Sequence, residues 1–364
     1  MLPLTPVRTA LRDNPSNRTG LDFDAEVARM PALGFGIIDA HAHINGLDAS
    51  AIWAPIALGY GIERTYSMSR LEDIPALRER FGSALEFIAV PDWYGKDRRD
   101  SHGTGYLARI EKYREAGTRI VKFWNAPRFI DFGVEAGDPA LLALDGPMRT
   151  EQLKLAQRLG MICMTHVADP DTWFAAKYTD HAKYGVKLDH YAPLRRALDR
   201  FTMPWIAAHM GGFPEDLVFL DRLLEAHPNL SLDTSATKWM VRELGRHPRD
   251  EVISFLQKWR GRILFGTDTV TTDEHLRGGE KSGEMALKAT SHESARELYA
   301  SRYWALRMMW EASGETTSPI SDPDLAMVDP ARFTVMDSPA LRGLALPADL
   351  LRVLYRDAAL ALLG

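Results

Sequence analysis

Cysteine is almost absent: Cys163 is the single thiol among 364 residues. One thiol closes no disulfide within the chain, and it cannot by itself build a Cys-rich zinc module or ligate an iron–sulfur cluster. An excess of positive charge is also missing. Lys and Arg total 44 against 49 Asp and Glu, a formal net charge of -5, so the basic footprint of phosphate-backbone binding, and with it a nucleic-acid partner, is not expected. No apolar run reaches the roughly 18 residues that span a bilayer, and residues 1–20 lack the apolar core of a secretory signal. The expectation is a cytoplasmic protein with no membrane partner, in which the Asn17-Arg18-Thr19 sequon carries no weight. No Gly-x-Gly-x-x-Gly follows the first apolar run, which removes the usual mark of dinucleotide binding.

What the chain does contain is ordinary globular material, 46% hydrophobic and 26% charged, which excludes disorder as its main state. Its length allows two domains of about 150 residues each or one α/β barrel. Short apolar runs alternate with amphipathic stretches, the pattern of parallel strands joined by crossover helices. Eight runs read as strands: 36–43, 62–68, 85–90, 120–124, 161–166, 205–209, 230–233 and 263–268. Gly117 and Gly160 close predicted helices at 106–116 and 148–159, and His227-Pro228-Asn229 stops a third at 217–226. Eight strand–helix units favour a closed (β/α)8 barrel of TIM type over an open sheet. Residues 1–35 read as an N-terminal extension and 36–364 as a single barrel domain. Within the polar stretch 270–330, residues 291–312 are predicted helical. The segment 347–363 puts Leu350, Leu351, Leu354, Ala358, Ala361 and Leu362 near one helical face, which predicts a closing helix docked on the barrel.

His41 and His43 stand two apart at the end of the first strand, so both imidazoles point the same way. Alone, the pair is a weak sign of a metal site. Three later strands end similarly, at His166, His209 and Asp268. Either of the later histidines alone reads best as a hydrogen-bonded core residue. In a barrel, however, all strand carboxyl ends share the active-site face, so these residues converge. Lys122, on the fourth strand, reads as a buried ammonium paired with a carboxylate such as Asp39, or as a substrate-binding group. Trp93, Trp124, Trp173 and Trp239 lie at or after strand ends, where they line the mouth for a planar substrate or simply pack under loops. Arg70, Arg128 and Lys238 are placed to meet a substrate carboxylate or to serve as surface charge, whereas Arg64, near a strand start, reads as structural.

Taken in order, residues 37–43, Thr165-His166, Ala208-His209-Met210-Gly211-Gly212 and Gly266-Thr267-Asp268 resemble the first-, fifth-, sixth- and eighth-strand motifs of the amidohydrolase superfamily. The resemblance is to the branch that includes aminocarboxymuconate semialdehyde decarboxylase. Residues 351–364 resemble its closing helix, with Asp357-Ala358 where Asn-Ala is common. The resemblance implies one divalent metal ion, zinc by expectation, held by His41, His43, His166 and Asp268. Asp268 and His209 would then be catalytic, Asp268 handling protons and His209 acting on substrate oxygen or as general acid. Lys122 and His209 are the positions that would serve a second metal in binuclear members, Lys122 as a carboxylated bridge. The implied activity is hydrolysis of a small-molecule amide, ester or lactone by metal-activated water. The alternatives are nonoxidative decarboxylation or hydration of a small unsaturated or cyclic carboxylic acid, or a noncatalytic metal-dependent binding protein. His41 stands where some aromatic-acid decarboxylases carry Glu. A homo-oligomer is left open.

Overall fold

The first apolar run forms β1 (Ile37–Ile44), buried along nearly its whole length, as a parallel strand covered on both faces should be. Six more strands follow in the computed structural model, which describes residues 3–4 and 11–364: β2 (Ile62–Ser67), β3 (Leu85–Ala89), β4 (Ile120–Trp124), β5 (Ile162–His166), β6 (Trp205–Ala207) and β7 (Leu230–Asp233). Each lies parallel to the one before it. The eighth run is split: β8 (Ile263–Leu264) pairs with β7, and β9 (Thr269–Thr271) pairs with β1. The split strand therefore closes the ring, giving the (β/α)8 barrel.

The break in the eighth strand is a departure from the continuous strand expected over 263–268. Three contacts shape it. The Ala40 N–H donates to the Phe265 carbonyl at 2.9 Å, and the Asp268 N–H to the His41 carbonyl at 2.8 Å. The Phe265 N–H leaves the sheet and donates to the Leu354 carbonyl at 3.1 Å. Gly266 is required at the crossing, because a Cβ there would lie 3.0 Å from the His41 Cβ and 3.2 Å from the Ser235 Cβ. Strand β6 likewise stops at Ala207, two residues early, because His209 to Gly212 all turn into left-handed backbone. A Cβ on Gly212 would fall 2.1 Å from the Ala168 carbonyl oxygen.

The predicted crossover helices form at Thr104–Glu115, Pro147–Arg158 and Leu217–Ala226, with Gly117 and Gly160 in positive φ just beyond the first two. The helix expected at 291–312 spans His292–Glu311; Ser291 caps it, and it packs on helix Leu47–Gly59. The closing segment is not one regular helix. It runs Ala348–Arg352, a π turn Val353–Asp357, then Ala358–Leu363. The π turn holds Leu354, whose carbonyl takes the Phe265 N–H. It also shifts the register, so Ala361 is exposed and Leu363 is buried instead.

The N-terminal region holds helix Phe23–Arg29 and the two-residue strand Pro3–Leu4. That strand joins Ser313–Thr317 and Ala340–Leu344 in a three-stranded sheet apart from the barrel. Cys163 is buried within β5. No helix among the described residues is long and apolar enough to cross a membrane.

Candidate metal centre

The carboxyl ends of β1 and the split eighth strand bring three donor atoms together, with the end of β7 behind them. His43 Nε2 lies 3.1 Å, and His41 Nε2 3.6 Å, from the same Asp268 Oδ1. On its other side, His41 Nδ1 donates to Asp233 Oδ2 at 2.8 Å. That bond fixes the tautomer and turns Nε2 toward Asp268, the usual way a carboxylate behind a histidine orients a metal ligand.

Asp233 is the hub beneath the site and is completely buried. Besides His41, its carboxylate accepts the His209 N–H at 2.9 Å, the Ser235 N–H at 3.1 Å and the Ser235 hydroxyl. The Ser235 oxygen in turn accepts from His209 Nδ1 at 2.7 Å, leaving His209 Nε2 without a proton. His209 and Asp268 reach these positions with φ of 58° and 59°, a conformation that costs a non-glycine residue on the order of 1–3 kcal/mol and persists only where neighbours over-determine it. The backbone bonds to Asp233 and His41 are those constraints.

The electrostatics suit ligation, which needs neutral imidazole and ionised carboxylate. Burial, with the Lys122 charge adding to it, lowers the His41 pKa. Burial, together with His166, pushes His209 well below its ordinary value. Burial would raise Asp268, but the hydrogen bond and charge of His43, with His209 and His41, hold it well below the carboxylate range. Asp233 follows the same pattern: burial opposes ionisation, and His41, His209 and Lys122 overcome it. Asp39, buried beneath His41, goes the other way, to about 7, because burial outweighs its bonds from Thr267 and the His41 N–H.

His166 is adjacent but outside the three-atom group. Its ring centroid is 4.6 Å from that of His209, and its Nε2 is held 2.9 Å from Asp169 Oδ1, whose carboxylate also accepts the Tyr178 hydroxyl. Lys122 departs from its expected pairing. Asp39 instead accepts from the Thr267 N–H at 3.1 Å, the Thr267 hydroxyl at 2.6 Å and the His41 N–H at 3.1 Å. The Lys122 Nζ has no hydrogen-bond partner among the described residues. Burial lowers its pKa to about 8 while Asp233 and Asp268 pull upward.

The tryptophans divide into two walls. Trp239 stands 5.4 Å from the His209 ring and 6.1 Å from that of His166. Trp173 stacks edge-on behind it at 5.7 Å and donates its indole N–H to Asp324 at 2.8 Å. Trp93 and Trp124 meet at 5.8 Å and share Phe132. Arg128 begins helix Phe129–Glu135 and its charge reaches Tyr178. Lys238 Nζ is 3.9 Å from Asp322. Arg70 lies over the Tyr94 ring. Arg64 donates to the Gly364 carbonyl at 2.6 Å, the structural role read for it.

Sequence reasoning missed Asp233, Ser235 and Asp169. Asp233 closes Leu230-Ser231-Leu232-Asp233 at the strand-end position that singled out His166, so the signal was present. A cavity of about 340 Å³ beside Phe23, Tyr60 and Glu297, and one of about 220 Å³ beside Asn125, Tyr184 and His190, contain none of the candidate ligands.

No protein-family model and no curated protein sequence matches the chain. Among solved structures, it is similar to 2,6-dihydroxybenzoate decarboxylase from Rhizobium, at 13% identity over 73% of this chain and 98% of that one, with a TM-score of 0.43. It is also similar to an amidohydrolase from Burkholderia multivorans with bound HEPES, at 11% identity over 90% and 98%, TM-score 0.43. A third is 5-carboxyvanillate decarboxylase from Novosphingobium aromaticivorans, complexed with manganese and 4-hydroxy-3-methoxy-5-nitrobenzoic acid, at 11% identity over 74% and 90%, TM-score 0.41. These structural neighbours are an amidohydrolase and two decarboxylases.

Proposed function

We propose that the protein is a metal-dependent hydrolase acting on a small-molecule amide, ester or lactone. The observation that carries this reading is the convergence of His41 Nε2, His43 Nε2 and Asp268 Oδ1, all within 4.8 Å of one another. Two imidazoles and an ionised carboxylate, backed by a buried second carboxylate on the His41 ring, fit a divalent cation, and the mixed nitrogen and oxygen set suits zinc. His166, its Nε2 committed to Asp169, has Nδ1 to offer as a fourth donor. A metal bound there would polarise a carbonyl oxygen and lower the pKa of a coordinated water from 15.7 toward about 7.

The chain's own residues supply the rest. Asp268 takes the proton of the attacking water and returns it to the leaving nitrogen or oxygen. His209, neutral and with Nδ1–H held by Ser235, presents Nε2 as an acceptor, which suits orienting water or a substrate hydroxyl better than donating a proton. Trp239 shields that side from bulk solvent. Lys122 balances part of the negative charge of Asp233 and Asp268 without bonding either.

The test is turnover of a panel of lactones, esters and amides by protein stripped of metal and then reloaded, with carbon dioxide recorded separately. Hydrolysis that disappears with the metal and returns with zinc supports the proposal. Carbon dioxide release without addition of water would replace it with decarboxylation.

A further inference from the structure

β5 ends at His166, yet its crossover helix, Tyr191–Arg200, begins only at residue 191. The excursion between them is far longer than the about two to six residues usual for such a connection. It holds only short helical pieces, Asp171–Ala176, His181–Tyr184 and Lys187–His190. Between 171 and 186 every residue is exposed or half-buried except Tyr178. The Tyr178 hydroxyl donates to Asp169 Oδ2, and Asp169 Oδ1 lies 2.9 Å from His166 Nε2. Asp169 and Tyr178 are each 1% exposed, so water does not compete for either bond.

Chemistry fixes the direction of this chain. A carboxylate between a phenol and an imidazole accepts from both, so His166 carries its proton on Nε2 and Nδ1 keeps its lone pair. The His166 ring stands 4.6 Å from that of His209. Asp233 does the same for His41 through the opposite nitrogen, Nδ1, at 2.8 Å. Two of the candidate ligands therefore have a buried carboxylate on one ring nitrogen, which leaves the other to coordinate. What differs is the support behind the carboxylate. Asp233 is held by barrel backbone and Ser235, whereas Asp169 is held by a tyrosine from the excursion. The Tyr178 ring lies 5.1 Å from Phe174, 5.2 Å from Tyr184 and 6.2 Å from Trp173, all on the same excursion, and Trp173 backs Trp239 at 5.7 Å.

We propose that Asp169 and Tyr178 are positioning residues for His166: they hold its proton on Nε2, set Nδ1 as the fourth donor of the metal centre, and so tie the excursion to occupancy of that centre. A carboxylate behind the ring raises the basicity of the nitrogen in front, and the Nε2–H becomes a stronger donor once Nδ1 is coordinated. By linkage, whatever the excursion adds to metal affinity returns as order in the excursion when metal binds. The tie rests on the metal-binding part of the hydrolase reading; the tautomer of His166 does not.

The tautomer is therefore read in metal-free protein, by nitrogen-15 NMR of the histidine rings, with His166 assigned by its loss in His166→Gln. Wild type and Tyr178→Phe should carry the proton on Nε2, and Asp169→Ala should shift it toward Nδ1. Zinc affinity, by chelator competition, should fall about 10- to 100-fold in Asp169→Ala, the scale of a lost carboxylate behind a ligand. In Tyr178→Phe it should fall about two- to tenfold, the scale of one hydrogen bond, and the double variant should be no weaker than Asp169→Ala. Tyr178→Phe keeps the ring and decides the matter if Asp169→Ala fails to fold. Trypsin reads the excursion at Lys177 and Lys183, both exposed. Zinc should slow these cuts about two- to tenfold in wild type and less in Tyr178→Phe, relative to the cut at Lys96 on another loop. A wild-type proton on Nδ1, zinc affinity unchanged in both variants, or cuts that ignore zinc would overturn the proposal. A proton on Nε2 in a wild type that binds no zinc would reject the metal reading and the tie together while leaving the orientation of His166 in place. The expected zinc and tautomer effects without any hydrolysis would retain this proposal and reject the hydrolase reading alone.

Discussion

The two sides of Asp268 are built on opposite principles. Toward β1 and β7, His41, His209, Ser235 and Asp233 satisfy one another until only the inward-facing atoms remain free. Toward helix His292–Glu311, Lys288 and Arg302 have no ion-pair partner among the described residues, while the charge of Asp268 acts on both. Order on the first side is complete before anything binds, whereas charge on the second side is held open. A catalytic centre gains from pre-set geometry because reorganisation during reaction is costly. The two halves can be separated by mutation, since they share only Asp268.

The largest effect should come at that shared residue. Asp268→Asn keeps the shape, and asparagine tolerates the left-handed backbone that this position adopts. It removes the carboxylate that takes the proton, so kcat should fall by about 100- to 10,000-fold with metal saturating. Thermal unfolding on the same preparation should change little. Near-normal turnover at full metal occupancy would show that Asp268 only packs.

Next comes the hub. Asp233→Asn withdraws charge from the His41 Nδ1–H and from the serine and backbone donors, and should weaken metal affinity by about 10- to 100-fold, as loss of a carboxylate behind a ligand does. His209→Asn should instead keep the metal and lower turnover. Competition with a chromophoric chelator reads both. If His209→Asn loses metal as readily as His41→Ala, His209 is a ligand and the pre-set side is larger than drawn.

A third measurement concerns number. The His41–His43–Asp268 set, the other group of His41, His209 and Asp233 being tied up by hydrogen bonds, predicts close to one metal per chain by elemental analysis, with no change in Lys122→Met, because the Lys122 Nζ has no hydrogen-bond partner among the described residues. Two metals per chain, falling to one in Lys122→Met, would turn the unpaired lysine into a bridge.

Much of the pre-set side could be read from the sequence because strand ends and period-two spacing are local signals: His41, His43 and Asp268 needed only the barrel to bring them together. Asp233 was as legible, but an aspartate ending a strand stands out less than a histidine. The break at 265–268 and the π turn at Val353–Asp357 could not be read. The two are joined by the bond from the Phe265 N–H to the Leu354 carbonyl, nearly ninety residues away in the chain. The same holds for Lys288 and Arg302. Their polar stretch looks like surface from composition, and packing of the long helix against helix Thr237–Arg242 leaves Arg302 half-buried. The sheet of Ser313–Thr317 and Ala340–Leu344 likewise joins segments with no strand alternation marked enough to announce it.

The smallest effect should come from a histidine with neither carboxylate hub nor unpaired role. His102 is 4% exposed and stands edge-on to Trp93 at 4.7 Å. Burial, with Arg149 and Arg98 adding to it, lowers its pKa from 6.5 to about 4. A histidine depressed in the folded state contributes stability that is fully present above pH 6.5 and is lost as pH falls toward 4, because the unfolded chain takes up the proton first. Between pH 7 and 5, this group alone should cost roughly 1–2 kcal/mol. His102→Gln should therefore flatten the acid side of a urea-unfolding series over that interval, whatever its effect on stability at pH 7. Burial depresses His41 and His209 in the same direction, so wild type and His102→Gln are compared under one zinc-loaded condition and the difference between their slopes reports His102. An unchanged slope in His102→Gln would mean that Asp92, whose charge favours protonation, already balances burial at His102.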